Sequence, residues 1–373
     1  MSQPQSRSYD VVIVGAGAAG IGCGVVLKEL GIEHFTILDR HQVGASFSRW
    51  PEEMSFITPS FPSHGFGLLD LNAVTLKTSP AIAFRQEHIS GKQYALYLQT
   101  VAKHFELPIR TEVDVKDVKS LSQGGFQLHT SVGDIHTEFV IWAAGEYQYP
   151  KLNPFPGAEH CMHNAQIRSW ADLKGDKFII IGGYESGIDA ATNLVALGKK
   201  VGVLDRYGAW ADLDTDPSVS LSPYTLQRLA YVYRTGRLDM VSDVTIEEVK
   251  PIRGGYAVYS EDRKWTTAHP PILCTGFDTS LKQIASLFDW SKGYAALTEN
   301  DESTLTPGLF VAGPSVRHGD LIFCFIYKFR QRFAVVANAI ASRLQLDTSP
   351  LEQYRQSGLF LDDLSCCSND CVC

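Results

Sequence analysis

The chain has 373 residues, of which 45% are hydrophobic and 20% are charged, and its formal net charge is −8. This length exceeds the size at which one hydrophobic core usually stops growing, so we expect two domains in a chain whose composition argues against widespread disorder. The acidic balance, without a basic stretch to neutralise phosphates, argues against nucleic-acid binding and favours a small-molecule substrate. The apolar runs are shorter than the ~20 residues of a membrane span, and residues 1–10 contain no apolar leader, so we expect a cytoplasmic protein.

The first predicted element is an apolar strand that runs into a glycine-rich turn within residues 10–24. Gly15 would allow a tight turn, Gly17 would let the backbone approach a pyrophosphate, and Gly20 would let the next helix pack against the strand. The first turn of that helix, which contains Ala18, offers unpaired N–H groups and the positive end of the helix dipole to phosphates. This pattern predicts a dinucleotide site.

An acidic residue follows at the spacing that such a site requires. A second strand, Phe35–Leu38, leads to Asp39, about 20 residues after the last glycine, where an acid binds the adenosine ribose. Arg40 is placed to lie over the adenine. Because strand, turn, helix and acid occur in register, we interpret the unit as a functional site and not as a packing motif.

Residues 177–206 repeat this layout with a less regular turn. Strand Phe178–Ile181, a turn, a helix, strand Val201–Leu204 and then Asp205 predict a second parallel βαβ unit. The turn consists of Gly182, Gly183, Tyr184, Glu185, Ser186 and Gly187. Tyr184 stands where the second glycine is expected, and Glu185 adds a negative charge near the pyrophosphate position. The unit is therefore either a nicotinamide site with weaker or rearranged binding, or a degenerate unit kept for packing.

Two such units, with the second inserted in the domain of the first, resemble the two-dinucleotide-binding flavoproteins, the superfamily of pyridine nucleotide-disulfide reductases and flavin-dependent monooxygenases. The resemblance implies an α/β fold of two Rossmann-like three-layer domains, with FAD in the first and NADH or NADPH in the second. Asp205 favours the ribose of NADH, whereas Arg206 could pair with the 2′-phosphate of NADPH, and the choice stays open. The implied parts are an FAD-binding domain at 1–155 and 276–346, an inserted NAD(P)-binding domain at 156–275, and a cysteine-rich tail at 347–373.

The segments that join the two domains carry the same resemblance. Phe139–Glu146 resembles the strand and Ala-Thr-Gly-type turn that leaves the FAD domain, with Ala144 at the usual threonine position before Gly145. Ile272–Phe277 resembles its counterpart where the chain returns. Ala144 and Gly145 are therefore implied to lie beside the FAD.

The C-terminal FAD motif is also present in an altered form. Thr306–Gly313 is similar to the family's strand and turn, which usually end in Gly-Asp, but Pro314 follows Gly313 in this chain. The resemblance therefore does not supply the aspartate that contacts the ribityl chain in the family, and Asp320 is a candidate replacement.

The surroundings of the flavin indicate the branch of the superfamily. Residues Gly44–Trp50 lie where disulfide reductases of the glutathione reductase type have redox cysteines, and no cysteine occurs there. This stretch and Glu87–Leu98 look more like class B flavin monooxygenases and cation-efflux-associated flavoproteins, which commonly have a tryptophan near the flavin edge. The resemblance therefore places Trp50, with Arg49, at the catalytic pocket.

Histidines and scattered cysteines are given structural roles. The Baeyer–Villiger signature is not matched, and His160 and His163, in the linker, are expected to have surface or capping roles. The scattered cysteines, which we expect to be buried small hydrophobes, are Cys23, Cys161, Cys274 and Cys324.

Four further cysteines crowd the last eight residues: Cys366, Cys367, Cys371 and Cys373. Their arrangement resembles the vicinal-cysteine end of mercuric reductases. It favours a redox role for Cys366 and Cys367, or a chelate for zinc or another soft metal ion, over an unconstrained tail.

Three functions remain open at this point. In the favoured, monooxygenase-like one, hydride passes from NAD(P)H to FAD, and oxygen then reacts with a small substrate in a dry pocket near Arg49, Trp50 and Phe61. In the second, electrons pass through Cys366 and Cys367 to a disulfide or a thiophilic metal ion. The third is a non-catalytic flavin sensor of redox state or metal. The sequence does not name the substrate, and the oligomeric state is open, with a homodimer as one option.

Overall fold

The computed structural model describes residues 7–61, 69–211 and 218–365. The strands in this part of the chain are β1 (Arg7–Val14), β2 (Phe35–Leu38), β3 (Ile109–Arg110), β4 (Val115–Ser120), β5 (Phe126–Thr130), β6 (Gly133–Trp142), β7 (Met162–His163), β8 (Lys177–Ile181), β9 (Lys200–Leu204), β10 (Leu238–Val241), β11 (Glu248–Ile252), β12 (Gly255–Tyr259), β13 (Lys264–Thr267), β14 (Ile272–Leu273), β15 (Leu309–Val311), β16 (Arg317–His318) and β17 (Leu321–Ile322).

The helices in the same part are α1 (Ala18–Glu29), α2 (Ala45–Ser48), α3 (Pro80–Phe84), α4 (Gly91–His104), α5 (Glu185–Ala196), α6 (Pro223–Tyr233), α7 (Ile326–Phe329), α8 (Phe333–Arg343) and α9 (Glu352–Gln356). Short 3₁₀ turns span Ala158–His160, Asn164–Gln166, Trp170–Asp172, Ala209–Ala211, Ser280–Leu287, Arg330–Arg332 and Ser349–Leu351.

The first sheet is built on the apolar strand predicted at the N-terminus. Its strand order is β3-β2-β1-β6-β5-β4, with β15 also paired to β6. Strand β1 pairs in parallel with β2 and β6, and β15 pairs in parallel with β6. Val11–Ile13 are completely buried, as expected for a parallel strand covered on both faces. The carboxyl ends of these four strands therefore meet at one edge, where ligands of such folds bind.

The second sheet is smaller and parallel throughout, with the order β10-β9-β8-β14-β7. An antiparallel sheet of β11, β12 and β13 packs beside it. All eight of these strands lie within residues 156–275. The predicted α/β fold with two Rossmann-like units is confirmed, and the limits assigned to the domains stay a prediction. Among the described residues, no helix combines the length and apolar character needed to cross a bilayer.

Helix α4 supports the segment that carries Trp50. A capping box starts the helix, because Gln93 N donates to Ser90 Oγ at 3.3 Å and Ser90 N donates to Gln93 Oε1 at 2.8 Å. Gly91 lets the start of α4 approach α2, since a Cβ at this position would overlap the Phe47 carbonyl oxygen and lie 3.1 Å from Trp50 Cβ. The Ser-Gly turn therefore fixes the position of the tryptophan.

The two units touch through specific contacts between their surfaces. The Glu53 carboxylate of the first unit accepts hydrogen bonds from Ser169 Oγ at 2.5 Å and Trp170 N at 3.0 Å. The ring of His88 stacks on Tyr224 of α6, with centroids 3.7 Å apart. These contacts hold the carboxyl edges of the two sheets on either side of a common cleft.

The segment after α8 adds to the first core. Leu351, Tyr354 and Leu359 are buried in the same cluster as β1 and α1, and Leu361 N donates to Gln331 O at 3.0 Å. Residues 349–361 are therefore packed against the unit that contains β1 and α1. The four cysteines from Cys366 onward lie outside the described residues.

Candidate active site

The first glycine turn has the backbone that its sequence predicts. Gly15 has a φ of +108°, and a Cβ there would overlap the Ala143 carbonyl. A Cβ on Gly20 would overlap Gly15 O, so α1 packs directly on the turn. At Gly17, the N-cap of α1, a Cβ would meet nothing within 4 Å. The turn thus presents open space at the N-terminus of a helix, which fits the pyrophosphate of FAD.

Asp39 holds this turn in place from the neighbouring strand. Its carboxylate accepts hydrogen bonds from Ala16 N at 2.8 Å and His41 N at 2.7 Å. Arg40 lines a small adjacent cavity, where its Nε donates to Gln148 Oε1 at 2.6 Å and its guanidinium lies 5.4 Å from the Tyr149 ring centroid. The acid and the arginine therefore occupy the end of the site where the prediction puts the adenosine.

A cavity of about 350 Å³ joins the two units. It is lined by residues of the first turn, the α2 segment, the β6 turn, helix α5 and the C-terminal motif. The predicted site residues that line it are Gly15, Gly17, Ala18, Asp39, Trp50, Ala144, Gly145, Glu185, Ser186 and Pro314. The structure thus brings together residues from both predicted nucleotide units, and their roles stay a prediction.

Other predicted residues lie elsewhere. Arg49, at the end of α2, is absent from the cavity lining, and its carbonyl accepts hydrogen bonds from Arg168 at 3.0 Å and from the Tyr147 hydroxyl at 3.4 Å. Phe61 is 45% exposed and is also absent from the lining. Asp320 is exposed in the β16–β17 hairpin and does not reach the cavity, so it does not replace the aspartate missing at Pro314.

Aromatic side chains form one wall of the cavity. Trp50 lies 5.3 Å from Phe47, 4.9 Å from Phe56 and 6.5 Å from Tyr147, measured between ring centroids. Tyr147 stacks on Phe277 at 5.1 Å. Trp50 was predicted here, but the other four rings were not: Phe47 and Phe56 lie near it in sequence, whereas Tyr147 and Phe277 come from distant segments. The wall is apolar, which favours binding of an apolar ring system and exclusion of water.

The second glycine turn repeats the backbone of the first despite Tyr184. Gly182 has a φ of +103°, and a Cβ on Gly187 would overlap Gly182 O. Tyr184 has φ −90° and ψ −165°, against −83° and −167° for Gly17. The Tyr184 side chain leaves the turn, and its hydroxyl donates to Ser220 O at 2.9 Å. The tyrosine therefore does not distort the turn that a nicotinamide dinucleotide would use.

Protein groups hold the charge of Glu185. Its carboxylate accepts hydrogen bonds from Ser222 N and Thr225 Oγ1, both at 2.5 Å, at the start of α6. The N-terminus of a helix stabilises a negative charge, so the carboxylate is fixed at the edge of the cleft.

Asp205 is the counterpart of Asp39 and is more fully bonded. It accepts hydrogen bonds from Gly183 N at 2.7 Å, Tyr207 N at 2.8 Å and Gly208 N at 2.6 Å. The ring of Trp210 lies against Gly183, where a Cβ would overlap it. The sequence analysis missed Trp210; the only signal for it is an aromatic residue shortly after the acid.

The cysteines differ in environment. Cys23 and Cys274 are buried, which raises the pKa of both thiols, and burial raises the pKa of the half-buried Cys161 to about 12. The burial of Cys23 and Cys274 agrees with the prediction, whereas Cys161 is only partly buried. Cys324 is not buried as predicted; it lines the cavity, and its Sγ donates to Ser218 Oγ at 3.2 Å.

The remaining predictions concern the linker histidines and the metal site. His163 is fully buried, and its Nδ1 accepts a capping hydrogen bond from Ala165 N at 3.2 Å, in agreement with the structural role expected. Within residues 7–61, 69–211 and 218–365, no group of three His, Cys, Asp or Glu residues could hold a metal ion. The predicted ligands, Cys366 to Cys373, lie outside these residues.

Comparison with known proteins identifies a matching protein family and several relatives. The model of the pyridine nucleotide-disulphide oxidoreductase family matches residues 12–313. The bacilliredoxin reductase Bdr of Bacillus subtilis is 23% identical over 337 residues, which cover 89% of this chain and 97% of that protein. The uncharacterized oxidoreductase CzcO of Bacillus velezensis is 27% identical over 191 residues, 50% of this chain, so the match spans about half (52%) of that protein.

Solved structures show the same fold. The bacillithiol disulfide reductase Bdr of Staphylococcus aureus has a TM-score of 0.70 at 20% identity and covers 90% of this chain and 99% of its own. The flavin-containing monooxygenase of Stenotrophomonas maltophilia has a TM-score of 0.71 at 17% identity and covers 91% and 99%. At these identities the likeness shows the fold alone.

The family match covers most of the chain, and it agrees with the two dinucleotide turns. The predicted cofactors, FAD with NADH or NADPH, are confirmed, and the non-catalytic interpretation is not supported. The chain belongs to the pyridine nucleotide-disulphide oxidoreductase family and is an FAD-dependent oxidoreductase that uses NAD(P)H.

Proposed function

We propose that this enzyme passes the electrons of NAD(P)H to oxygen and oxygenates a small apolar substrate. The observation that carries the proposal is the cavity between the two units, which has an aromatic wall and, among the described residues, no pair of cysteines. FAD, when bound, takes up the electron pair of NAD(P)H and can pass it to oxygen or to a disulfide. Gly17 and Asp39 would hold its pyrophosphate and ribose.

The protein contributes water exclusion and positioning. Trp50, Phe56 and Tyr147 surround the space where an apolar substrate would meet the cofactor. Burial raises the pKa of Tyr147 to about 12, so this phenol stays neutral during turnover. A dry apolar pocket protects reactive oxygen species from loss to water.

The contacts of Asp205 and Arg206 support NADPH as the hydride donor. Asp205 already accepts three backbone hydrogen bonds, which leaves it little capacity for a ribose hydroxyl. Arg206 is exposed, and its guanidinium lies 5.8 Å from the Tyr207 ring centroid. A planar guanidinium beside an aromatic ring suits the 2′-phosphate and adenine of NADPH.

A thiol or disulfide reductase is the second candidate. Two observations favour it: Cys324 lines the cavity, and the match to the bacilliredoxin reductase spans 97% of that protein. In this alternative, Cys366 and Cys367 would exchange with a substrate disulfide and receive electrons at the cavity.

The experiment measures the two half-reactions separately. Anaerobic titration with NADPH and NADH tests hydride uptake through bleaching of the flavin absorbance, and we expect NADPH to be more effective. Turnover is then followed with oxygen and a thioether such as thioanisole, and with glutathione disulfide or bacillithiol disulfide. Formation of sulfoxide in proportion to NADPH used supports oxygenation. Disulfide turnover that is lost in a Cys366→Ser, Cys367→Ser double variant supports the second candidate and argues against oxygenation.

A further inference from the structure

Glu146 is the acidic residue of the cavity that the proposed function leaves unexplained. It follows the Ala143–Gly145 turn at the carboxyl end of β6, and it lines the cavity beside Tyr147. It is partly accessible from the cavity and otherwise enclosed. Within the described part of the chain, its carboxyl group makes no hydrogen bond, and the charge that acts on it is Lys151.

The other cavity carboxylates are all held by protein groups. Asp39 accepts two backbone hydrogen bonds, and Glu185 is bonded to Ser222 and Thr225. Asp189 faces Arg228 at 2.6 Å. Hydrogen bonds and ion pairs stabilise the ionised form, and Glu146 has neither of these aids. Burial raises the pKa of Glu146, although Lys151 opposes the shift. Glu146 is thus suited to carry a proton facing the reacting groups.

We propose that the carboxyl group of Glu146 donates the proton that the oxidative half-reaction consumes. This inference rests on the proposed function, but it holds for either electron acceptor. NAD(P)H supplies two electrons and one proton in the form of hydride. One more proton is consumed whichever acceptor is used: when oxygen oxygenates a substrate and yields water, when oxygen is reduced to hydrogen peroxide, or when a disulfide is reduced to two thiols. The O–H bond of Glu146 breaks as an O–H or S–H bond forms on the leaving oxygen or sulfur atom. Water at the cavity mouth then reprotonates the carboxylate.

The direction of the pH dependence follows from this role. The neutral carboxyl is the donor, so turnover is fast below its pKa and falls as the pH rises through it, above the ordinary range of a glutamate. The titratable groups that line the same cavity are Asp39, Glu185, Asp189, Tyr147 and Cys324, with Lys151 beyond it. Tyr147 stays neutral in this range because burial raises its pKa to about 12.

The test uses the holoenzyme with oxygen alone as acceptor, because NAD(P)H oxidation with release of hydrogen peroxide needs no identified substrate. Glu146→Gln keeps the shape of the side chain and removes the proton. We expect kcat to fall on the order of 100-fold, the descending pH limb to disappear, and Glu146→Asp to restore both in part. The rate of anaerobic flavin bleaching should stay within about twofold of the unmodified enzyme, because Glu146 acts after hydride uptake. Glu138→Gln, the same change at an exposed position of β6, is the control.

The outcomes separate this inference from the proposed function. Failure of the unmodified enzyme to bleach with either nucleotide refutes the proposed function. Unchanged kcat and an unchanged pH profile in Glu146→Gln overturn the proton-donor role while leaving that function intact. Loss of FAD, or bleaching slowed as much as turnover, also overturns it, because Glu146 would then hold a cofactor. A solvent deuterium isotope effect on turnover that disappears in Glu146→Gln supports the role.

Discussion

Asp39 and Asp205 occupy equivalent positions in two similar units, so they offer a matched pair of perturbations. Asp39→Ala removes the acceptor of the hydrogen bonds from Ala16 N and His41 N. Each hydrogen bond to a charged group contributes about 1.5–3 kcal/mol. Taking the low end, because water can enter the open site, the two bonds amount to about 3 kcal/mol. FAD binding to the variant must restore the ordered turn without these bonds, which costs up to the same amount and corresponds to an increase of up to about 100-fold in the Kd for FAD, at 1.4 kcal/mol for each factor of ten.

The assay compares both variants for both cofactors. Quenching of FAD fluorescence on addition of apoprotein gives the Kd for FAD, and the KM for NADPH is measured with FAD in saturating amounts. We expect Asp39→Ala to weaken FAD binding with the KM for NADPH within about twofold, and Asp205→Ala to raise that KM without changing FAD binding. Thermal unfolding of both apoproteins controls for misfolding. Equal effects of the two variants on FAD, or an unchanged Kd in Asp39→Ala, would refute the assignment of one cofactor to each turn.

Further predictions concern the second turn and the stability of the first unit. Gly183→Ala would force the Trp210 ring aside, so we expect a rise of about tenfold in the KM for NADPH with normal FAD content, and an unchanged KM would contradict this packing. Arg206→Ala should raise the KM for NADPH by about tenfold and leave that for NADH unchanged; equal changes would argue against binding of the 2′-phosphate. Burial opposes ionisation of Glu302, but hydrogen bonds from Arg343, both at 2.6 Å, and from Gly308 N lower the pKa of its carboxyl. Its stabilising contribution is therefore present above the ordinary pKa of a glutamate and is lost as the pH falls through the lowered one. Glu302→Gln should reduce the free energy of unfolding by about 1–3 kcal/mol at pH 7 and by less at pH 4, and an equal loss by calorimetry at both would contradict this.

Local backbone requirements made the two turns predictable. The positive φ of Gly15 and Gly182, and the close helix approach at Gly20 and Gly187, each depend on one residue type at one position. The order of strand, turn, helix and acid then indicates a parallel unit without any knowledge of distant contacts. These features were sufficient to predict the fold and both cofactors.

The cavity could not be predicted in the same way. Its aromatic wall combines Phe47, Trp50 and Phe56, which are near one another in sequence, with Tyr147 and Phe277, which come from distant segments. No periodicity marks residues that meet only through tertiary packing. Arg49 shows that adjacency in sequence is not sufficient: it precedes Trp50 directly, but only Trp50 lines the cavity.

Tyr184 shows how a motif can depart from its pattern and keep its geometry. The second position of the motif does not demand a glycine backbone, since Gly17 itself has negative φ and free space beside its Cα. Tyr184 adopts the same conformation and takes its side chain to Ser220. In the second unit the need for glycine lies one residue earlier, at Gly183, because Trp210 covers that position. The irregular turn therefore keeps the backbone conformation of the first turn beside a different neighbour, Trp210, and its use as a nucleotide site stays a prediction.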